Sequence, residues 1–212
     1  MKKSLIIFDM DGTLVDSSHT IANSINHVRA NIGLNAMPNH DIISKINDHT
    51  INPAKYFYGI DTYEPMHEQW FTEYYSQNHD QELVLYDGIY ELLGLLKSME
   101  IGVALATNAY RVSTLESLTH LNIYHFFDAI ACADDVERSK PFPDMLHKVL
   151  HELDTHSQKS IFVGDGSRDE NAAKSTPMDY LMVDWGFTEH AKDREKISSV
   201  DELKGVLLEN IA

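Results

Sequence analysis

Positive charge is scarce in this sequence. Lys and Arg total 17 against 33 Asp and Glu, a formal net charge of -16 at pH 7. Such a surface repels phosphate backbones and anionic lipid, so neither a nucleic acid nor a membrane is expected as a partner. A small anionic substrate would need local positive charge, or a metal, to offset that field. Cysteine is almost lacking as well. Cys132 stands alone, which excludes an internal disulfide framework and suits a reducing cytosol. Long apolar runs are missing. The opening MKKSLIIF imitates a signal peptide for a few residues, but its apolar stretch stops at Asp9. Nothing approaches the roughly 20 apolar residues of a membrane helix. The expectation is a soluble, cytoplasmic protein.

Several catalytic signatures are also missing. There is no G-x-x-x-x-G-K-[ST] and no G-x-G-x-x-G after a strand, which argues against a P-loop kinase and a dinucleotide cofactor. There is no G-x-S-x-G elbow. The 12 histidines are scattered, with no H-E-x-x-H and no cysteine pair to organise a zinc site. Internal repeats and low-complexity segments are absent.

What is present is a rhythm. Apolar, β-rich runs occur at Ser4–Phe8, Ile101–Thr107, Ala129–Ala133, Ser160–Gly164 and Tyr180–Asp184. Continuous runs of this length suit strands buried on both faces, hence a parallel sheet covered by helices. Helical periodicity fills the gaps at Gly88–Met99, Val112–Leu121 and Pro143–Leu153. Near the C-terminus, Ser199 stands three residues before Glu202, a capping-box spacing. The alternation predicts an α/β fold, a doubly wound parallel sheet of Rossmann-like type. Residues 17–82 break the rhythm. They are rich in His, Asn and Tyr, carry helical patterns at 18–33 and 64–79, and hold no buried strand. The expected organisation is a core from 1–16 and 83–212, with a small α-helical cap inserted at 17–82. At 212 residues and 43% hydrophobic, the chain can fill one core and a small accessory domain.

Polar residues gather at the strand ends. Asp9 and Asp11 follow the first strand, Thr107 and Asn108 the second, Asp134 and Asp135 the third, and Gly164 and Asp165 the fourth, with Asp169 nearby. In an open parallel sheet, ligands bind beyond the carboxyl ends of the strands, so these residues are expected to converge. Carboxylates sharing a pocket must share protons or bind a cation. Short spacing favours a hard, oxygen-binding ion such as Mg2+, which shares its site with substrate phosphate. Asp9 could then stay ionised as a nucleophile while Asp11 handles protons. Asp134 and Asp135 read as a turn or helix start, and Cys132 as a buried strand residue.

The segments DMDGTLVD, ATN, KPFPD and VGDGSRD resemble the four ordered motifs of the haloacid dehalogenase superfamily. The similarity is greatest to its phosphoglycolate-phosphatase-like branch, whose cap follows the first motif. The resemblance implies a phosphatase acting on a small phosphorylated metabolite through an aspartyl-phosphate on Asp9. Asp11 would protonate the leaving oxygen and then activate water. Thr107, with the Asn108 amide region, would bind the transferring phosphoryl, and Lys140 would neutralise it and hold Asp9. Asp9, Asp165 and the Asp11 carbonyl would ligate Mg2+, with Asp169 orienting the ion's waters. This is the positioning and electrostatic solution that phosphoryl transfer requires.

Asp11 argues against a dehalogenase, and Thr13 in the turn resembles the phosphatases rather than the sugar mutases. A phosphonatase would need a cap lysine, and Lys45 and Lys55 read as surface residues. The cap around Ile43–Gly59 lacks the small-residue specificity loop of phosphoglycolate phosphatases. Two alternatives stand beside the phosphatase: a sugar phosphomutase, and an inert phosphate-sensing or scaffold protein of the same fold. A monomer or homodimer is expected.

Overall fold

The computed structural model describes residues 2–46, 51–185 and 196–211. Leu5, Ile6, Ile7 and Phe8 form strand β1 (Leu5–Phe8), with no residue more than 2% exposed. β1 is the centre of a five-stranded sheet. On one side lie β4 (Gly102–Ala106) and then β5 (Ala129–Ala131); on the other lie β6 (Ser160–Gly164) and then β7 (Asp179–Met182). Each pairing is parallel. The order reverses direction at β1, which makes its carboxyl end the topological switch point.

Side chains alternate across this sheet. Leu5, Ile7, Ala104, Ala106, Ala129, Ala131 and Phe162 face α7 (Asp144–Glu152) and α8 (Ser167–Ser175), packing on Met145, Leu146, Val149, Leu150, Ala172 and Ala173. The alternate positions, Ile6, Phe8, Val103, Leu105, Ile161 and Val163, are buried on the opposite face. That side carries α5 (Ile89–Ser98), which packs on β4 and on α9 (Val200–Ile211). Burial on both faces explains why the strand sequences are continuously apolar. α6 (Arg111–His120) follows β4. The fold is therefore the doubly wound α/β sheet expected from the sequence. β6 coincides residue for residue with the apolar run Ser160–Gly164. At the start of α9, Ser199 Oγ accepts from Glu202 N at 3.2 Å, as the capping spacing predicts.

Two features differ from the sequence reading. β2 (Val15–Asp16) and β3 (Val84–Leu85) form a separate antiparallel ribbon, with Val15 opposite Leu85 and Asp16 opposite Val84. Strands of two residues carry no period to read. Residues 17–82 also hold two short helices besides α1 (Ser18–Asn31) and α4 (Pro65–Glu82): α2 (Asn39–Ile43) and α3 (Pro53–Tyr58). α3 is delimited by local chemistry. Asn52 Oδ1 accepts from Lys55 N at 3.2 Å, Pro53 occupies the first turn, and Gly59 closes the helix at φ 73°. Residues 47–50, within the Ile43–Gly59 stretch, lie outside the described residues.

The described residues cluster into two compact units, one of 2–16, 84–185 and 196–211, the other of 17–46 and 51–83. The second has its own core of Ala22, Ile25, Val28, Ile42, Phe57 and Tyr58. Its abundant polar side chains tie the backbone together. Asn26 exchanges two hydrogen bonds with the Met37 main chain, at 2.8 and 2.9 Å. Arg29 donates to the Phe57 carbonyl, and His67 Nδ1 accepts from Glu64 N at 3.0 Å. Lys55 pairs with Asp61 at the surface. No helix among the described residues is long and apolar enough to cross a membrane.

Candidate active site

The ladder carries Asp9 one step beyond β1. Its N–H donates to the Val163 carbonyl at 2.9 Å, so Asp9 stands level with the end of β6. Thr107 is placed likewise at the end of β4, its N–H donating to Ala131 O at 3.0 Å. After Asp9 the chain turns sharply. The Met10 carbonyl accepts from Thr13, Leu14 and Val15 N at 3.2, 2.9 and 3.0 Å, and Gly12 N donates to Val15 O. Asp11 sits in this turn. Gly12 has φ 78°, and a Cβ there would lie 2.3 Å from Asp165 Oδ2. Glycine is required on both counts, for the backbone and for the carboxylate lying against it. The Thr13 carbonyl accepts from Trp185 Nε1 at 3.1 Å, which ties the turn to the segment after β7.

Lys140 is 4% exposed despite its charge. Its Nζ lies 2.5 Å from Asp9 Oδ1 and 2.7 Å from Asp169 Oδ1. The Asn108 side chain fixes the lysine backbone. Asn108 Nδ2 donates to Lys140 O and Lys140 N donates to Asn108 Oδ1, both at 3.0 Å. The Asn108 carboxamide is thus committed to Lys140. Thr107 is buried, and its Oγ1 accepts from Ala109 N at 3.1 Å, which leaves its own proton to donate. Asp169 belongs to the first turn of α8, where the helix dipole favours a carboxylate. Its second oxygen accepts from Gly166 N at 3.2 Å. Gly164 leaves room for it, since a Cβ there would lie 2.7 Å from Asp169 Cβ, Cγ and Oδ2.

Oxygen atoms of Asp9, Asp165 and Asp169 all lie within 4.8 Å of one another. Burial pushes Asp9 well above the usual carboxylate range, with Lys140 opposing and the Asp169 and Asp165 charges adding. Burial, then the Asp169 charge, pushes Asp165 up to about 7. Burial disfavours the charged form of Lys140, but Asp9 and Asp169 outweigh it and hold the ammonium above its ordinary pKa. The site holds more carboxylate than Lys140 alone can neutralise. An all-oxygen donor set short of positive charge is what a divalent hard cation fits. Asp169 meets Lys140 through Oδ1 and Gly166 N through Oδ2, while Asp9 meets Lys140 through Oδ1.

The structure thus brings Asp9, Lys140, Asp165 and Asp169 into one cluster. Thr107 lies at the adjacent strand end, Asp11 in the turn, and Asn108 beneath Lys140. Asp134 and Asp135 serve elsewhere. Arg111 Nε donates to Asp135 at 2.6 Å, its N–H donates to Asp134 at 2.8 Å, and Asp135 also accepts from Cys132 N. They are the last two residues of a short 3-10 helix, Ala133–Asp135. Cys132 is buried at the end of β5, where burial pushes its thiol pKa up. Sequence reasoning did not find the steric roles of Gly12 and Gly164, nor Trp185. No sequence signal separates a glycine that makes room for a carboxylate from one that simply turns.

The model of the haloacid dehalogenase-like hydrolases matches residues 6–183. The pyrophosphatase PpaX of Bacillus cereus is 30% identical over 190 residues, which cover 87% of this chain and 85% of that protein. Among solved structures, a haloacid dehalogenase-like family hydrolase from Streptococcus pneumoniae aligns with a TM-score of 0.74 at 26% identity, covering 89% of this chain and 88% of that one. A predicted phosphatase from Clostridium acetobutylicum has the same fold, with a TM-score of 0.79 at 23% identity, covering 99% and 100%. The chain belongs to the haloacid dehalogenase-like hydrolases. Within that family it is an enzyme of the phosphatase type.

Proposed function

We propose that this enzyme is a magnesium-dependent phosphatase that hydrolyses a small phosphorylated metabolite through an aspartyl-phosphate on Asp9. The observation that carries the reading is the buried Asp9 carboxylate, 2.5 Å from the Lys140 ammonium at the sheet's switch point. Lys140 opposes the effect of burial on Asp9, aims its carboxylate, and offers its charge to the incoming phosphoryl group. Asp9 attacks phosphorus as the bond to the leaving oxygen breaks, and Asp11 gives its proton to that oxygen. Water then attacks the phosphorus and loses a proton to Asp11. The P–O bond to Asp9 breaks, inorganic phosphate leaves, and both aspartates are restored. The Thr107 hydroxyl and the Asn108 backbone amide would donate to the phosphoryl oxygens. Mg2+, held by Asp9, Asp165 and the Asp11 carbonyl with Asp169 outside them, would offset the charge of the transferring group. We assign residues 17–82 as the cap that selects the leaving group for the core of 1–16 and 83–212, and the cytoplasm as the place of action.

A second substrate reading is pyrophosphate, favoured by the 30% identity to a pyrophosphatase. The core chemistry would be the same, with phosphate itself as the leaving group. A panel of phosphate monoesters and pyrophosphate, assayed for phosphate release with Mg2+, distinguishes the two. Asp9→Asn tests the mechanism. The variant is expected to stay folded and lose turnover of a generic aryl phosphate; full activity would sink the assignment.

A further inference from the structure

Tyr180 lies on β7, paired in register with Phe162 of β6, so both side chains share one face of the sheet. Their ring centroids are 6.0 Å apart. The Tyr180 hydroxyl reaches past the end of β6, to 2.9 Å from Gly164 O and 3.1 Å from Gly166 O. These two carbonyls flank Asp165. A hydroxyl has one proton, so the donation is shared between the two acceptors. The same short backbone also serves the other carboxylate, because Gly166 N donates to Asp169 Oδ2. Behind it, Lys140 Nζ stands 5.5 Å from the centroid of the Phe162 ring against which Tyr180 packs. A phenylalanine at 180 would supply the same ring contact. What the phenol adds is one oxygen, and its hydrogen bonds among the described residues go to those two carbonyls.

We propose that Tyr180 is a positioning residue whose hydroxyl holds the Gly164–Gly166 backbone so that Asp165 meets a divalent cation with its carboxylate already aimed. The inference rests on the metal reading above and extends it to a side chain outside the residues assigned to hold the ion. Pre-organising the backbone lowers the ordering cost of ligation.

Tyr180→Phe removes only the oxygen. Mg2+ binding to the purified full chain is followed by titration calorimetry, alongside the thermal midpoint without metal and the Mg2+ requirement for turnover of an aryl phosphate. Outer partners of metal ligands contribute about 10- to 100-fold to metal affinity. The variant is expected to bind Mg2+ about 10-fold more weakly and to need correspondingly more for half-maximal turnover, with kcat at saturating Mg2+ near that of the parent. A residue acting through packing alone would lower the metal-free midpoint and leave the titration unmoved. That result overturns the proposal, as does a variant equal to the parent in every measurement. A parent chain that binds no Mg2+ overturns the metal reading itself, and the inference falls with it.

Discussion

Gly164→Ala tests how tightly the carboxylate cluster is pinned. Gly164 ends β6 and is not among the residues with positive φ, so alanine costs nothing in backbone conformation there. The whole effect is steric. The new Cβ would lie 2.7 Å from Asp169 Cβ, Cγ and Oδ2. Ordinary carbon contacts begin near about 3.5 Å, so Asp169 must retreat by about 0.8 Å. It has little freedom to do so, because Oδ1 is 2.7 Å from Lys140 Nζ and Oδ2 is 3.2 Å from Gly166 N. A retreat of that size stretches the lysine contact to about 3.5 Å, beyond hydrogen-bond range. Otherwise Lys140 follows and leaves Asp9. Displacements of about 1 Å around a reacting group cost about 100-fold in rate. Overpacking costs about 1–3 kcal/mol, or about 2–12 °C of thermal midpoint for a chain of this length. The assay is kcat for an aryl phosphate at saturating Mg2+, with calorimetry for the midpoint. Gly166→Ala, whose Cβ would lie 3.8 Å from Asp169 Oδ2, should show a much smaller loss. A Gly164→Ala enzyme with parental kcat and midpoint would refute the idea that Asp169 is held in place by contact.

Two further outcomes follow from the charge and the backbone. Burial raises Asp9 well above its ordinary pKa and Asp165 to about 7. The metal-free folded state therefore keeps protons that the unfolded chain releases near about pH 4, and its stability declines as pH rises through about 7. Mg2+ competes with those protons, so its stabilising effect should be larger at about pH 8 than at about pH 6. At 100 times Kd it should reach about 2.7 kcal/mol, seen as a shift of about 5–11 °C in a thermal melt; equal shifts at both pH values would contradict the raised carboxyls. Gly205→Ala, inside α9 with open space at its Cβ, should stabilise the protein by about 0.5–1 kcal/mol in denaturant melts, with activity unchanged.

The sheet was legible because its strands are buried on both faces, and burial writes itself as an unbroken apolar run. Ser160–Gly164 shows this most clearly, since its five buried residues are the strand. The β2–β3 ribbon was not legible. Its pairing depends on two contacts between residues about 70 positions apart, and neither side leaves a period. α2 and α3 were missed for a related reason: five or six residues give too little of a helical turn to outweigh a polar composition. Asp9, Thr107 and Asp165 could be placed near one another because each follows a strand, and strand ends in a parallel sheet meet; Lys140, well beyond the end of β5, was singled out only by its resemblance to a family motif. What the sequence did not carry was the fit between them. Nothing about Gly164 or Tyr180 in one dimension says that the first makes room for Asp169 and the second braces the backbone on either side of Asp165.

The β2–β3 ribbon has a consequence beyond architecture. Asp16 lies opposite Val84, so the chain departs from the sheet-bearing unit and returns to it one strand spacing away, about 5 Å. To that unit, all that intervenes is one long loop with its ends already clasped. The entropy of closing such a loop grows slowly, by about 0.6 kcal/mol per doubling of length. Its length is therefore a small term in the cost of closing the ribbon. The four motifs DMDGTLVD, ATN, KPFPD and VGDGSRD all lie outside it. Descent can then work on the two parts at different tempos, lengthening, shortening or exchanging the inserted stretch while the reacting groups stay where the strands put them.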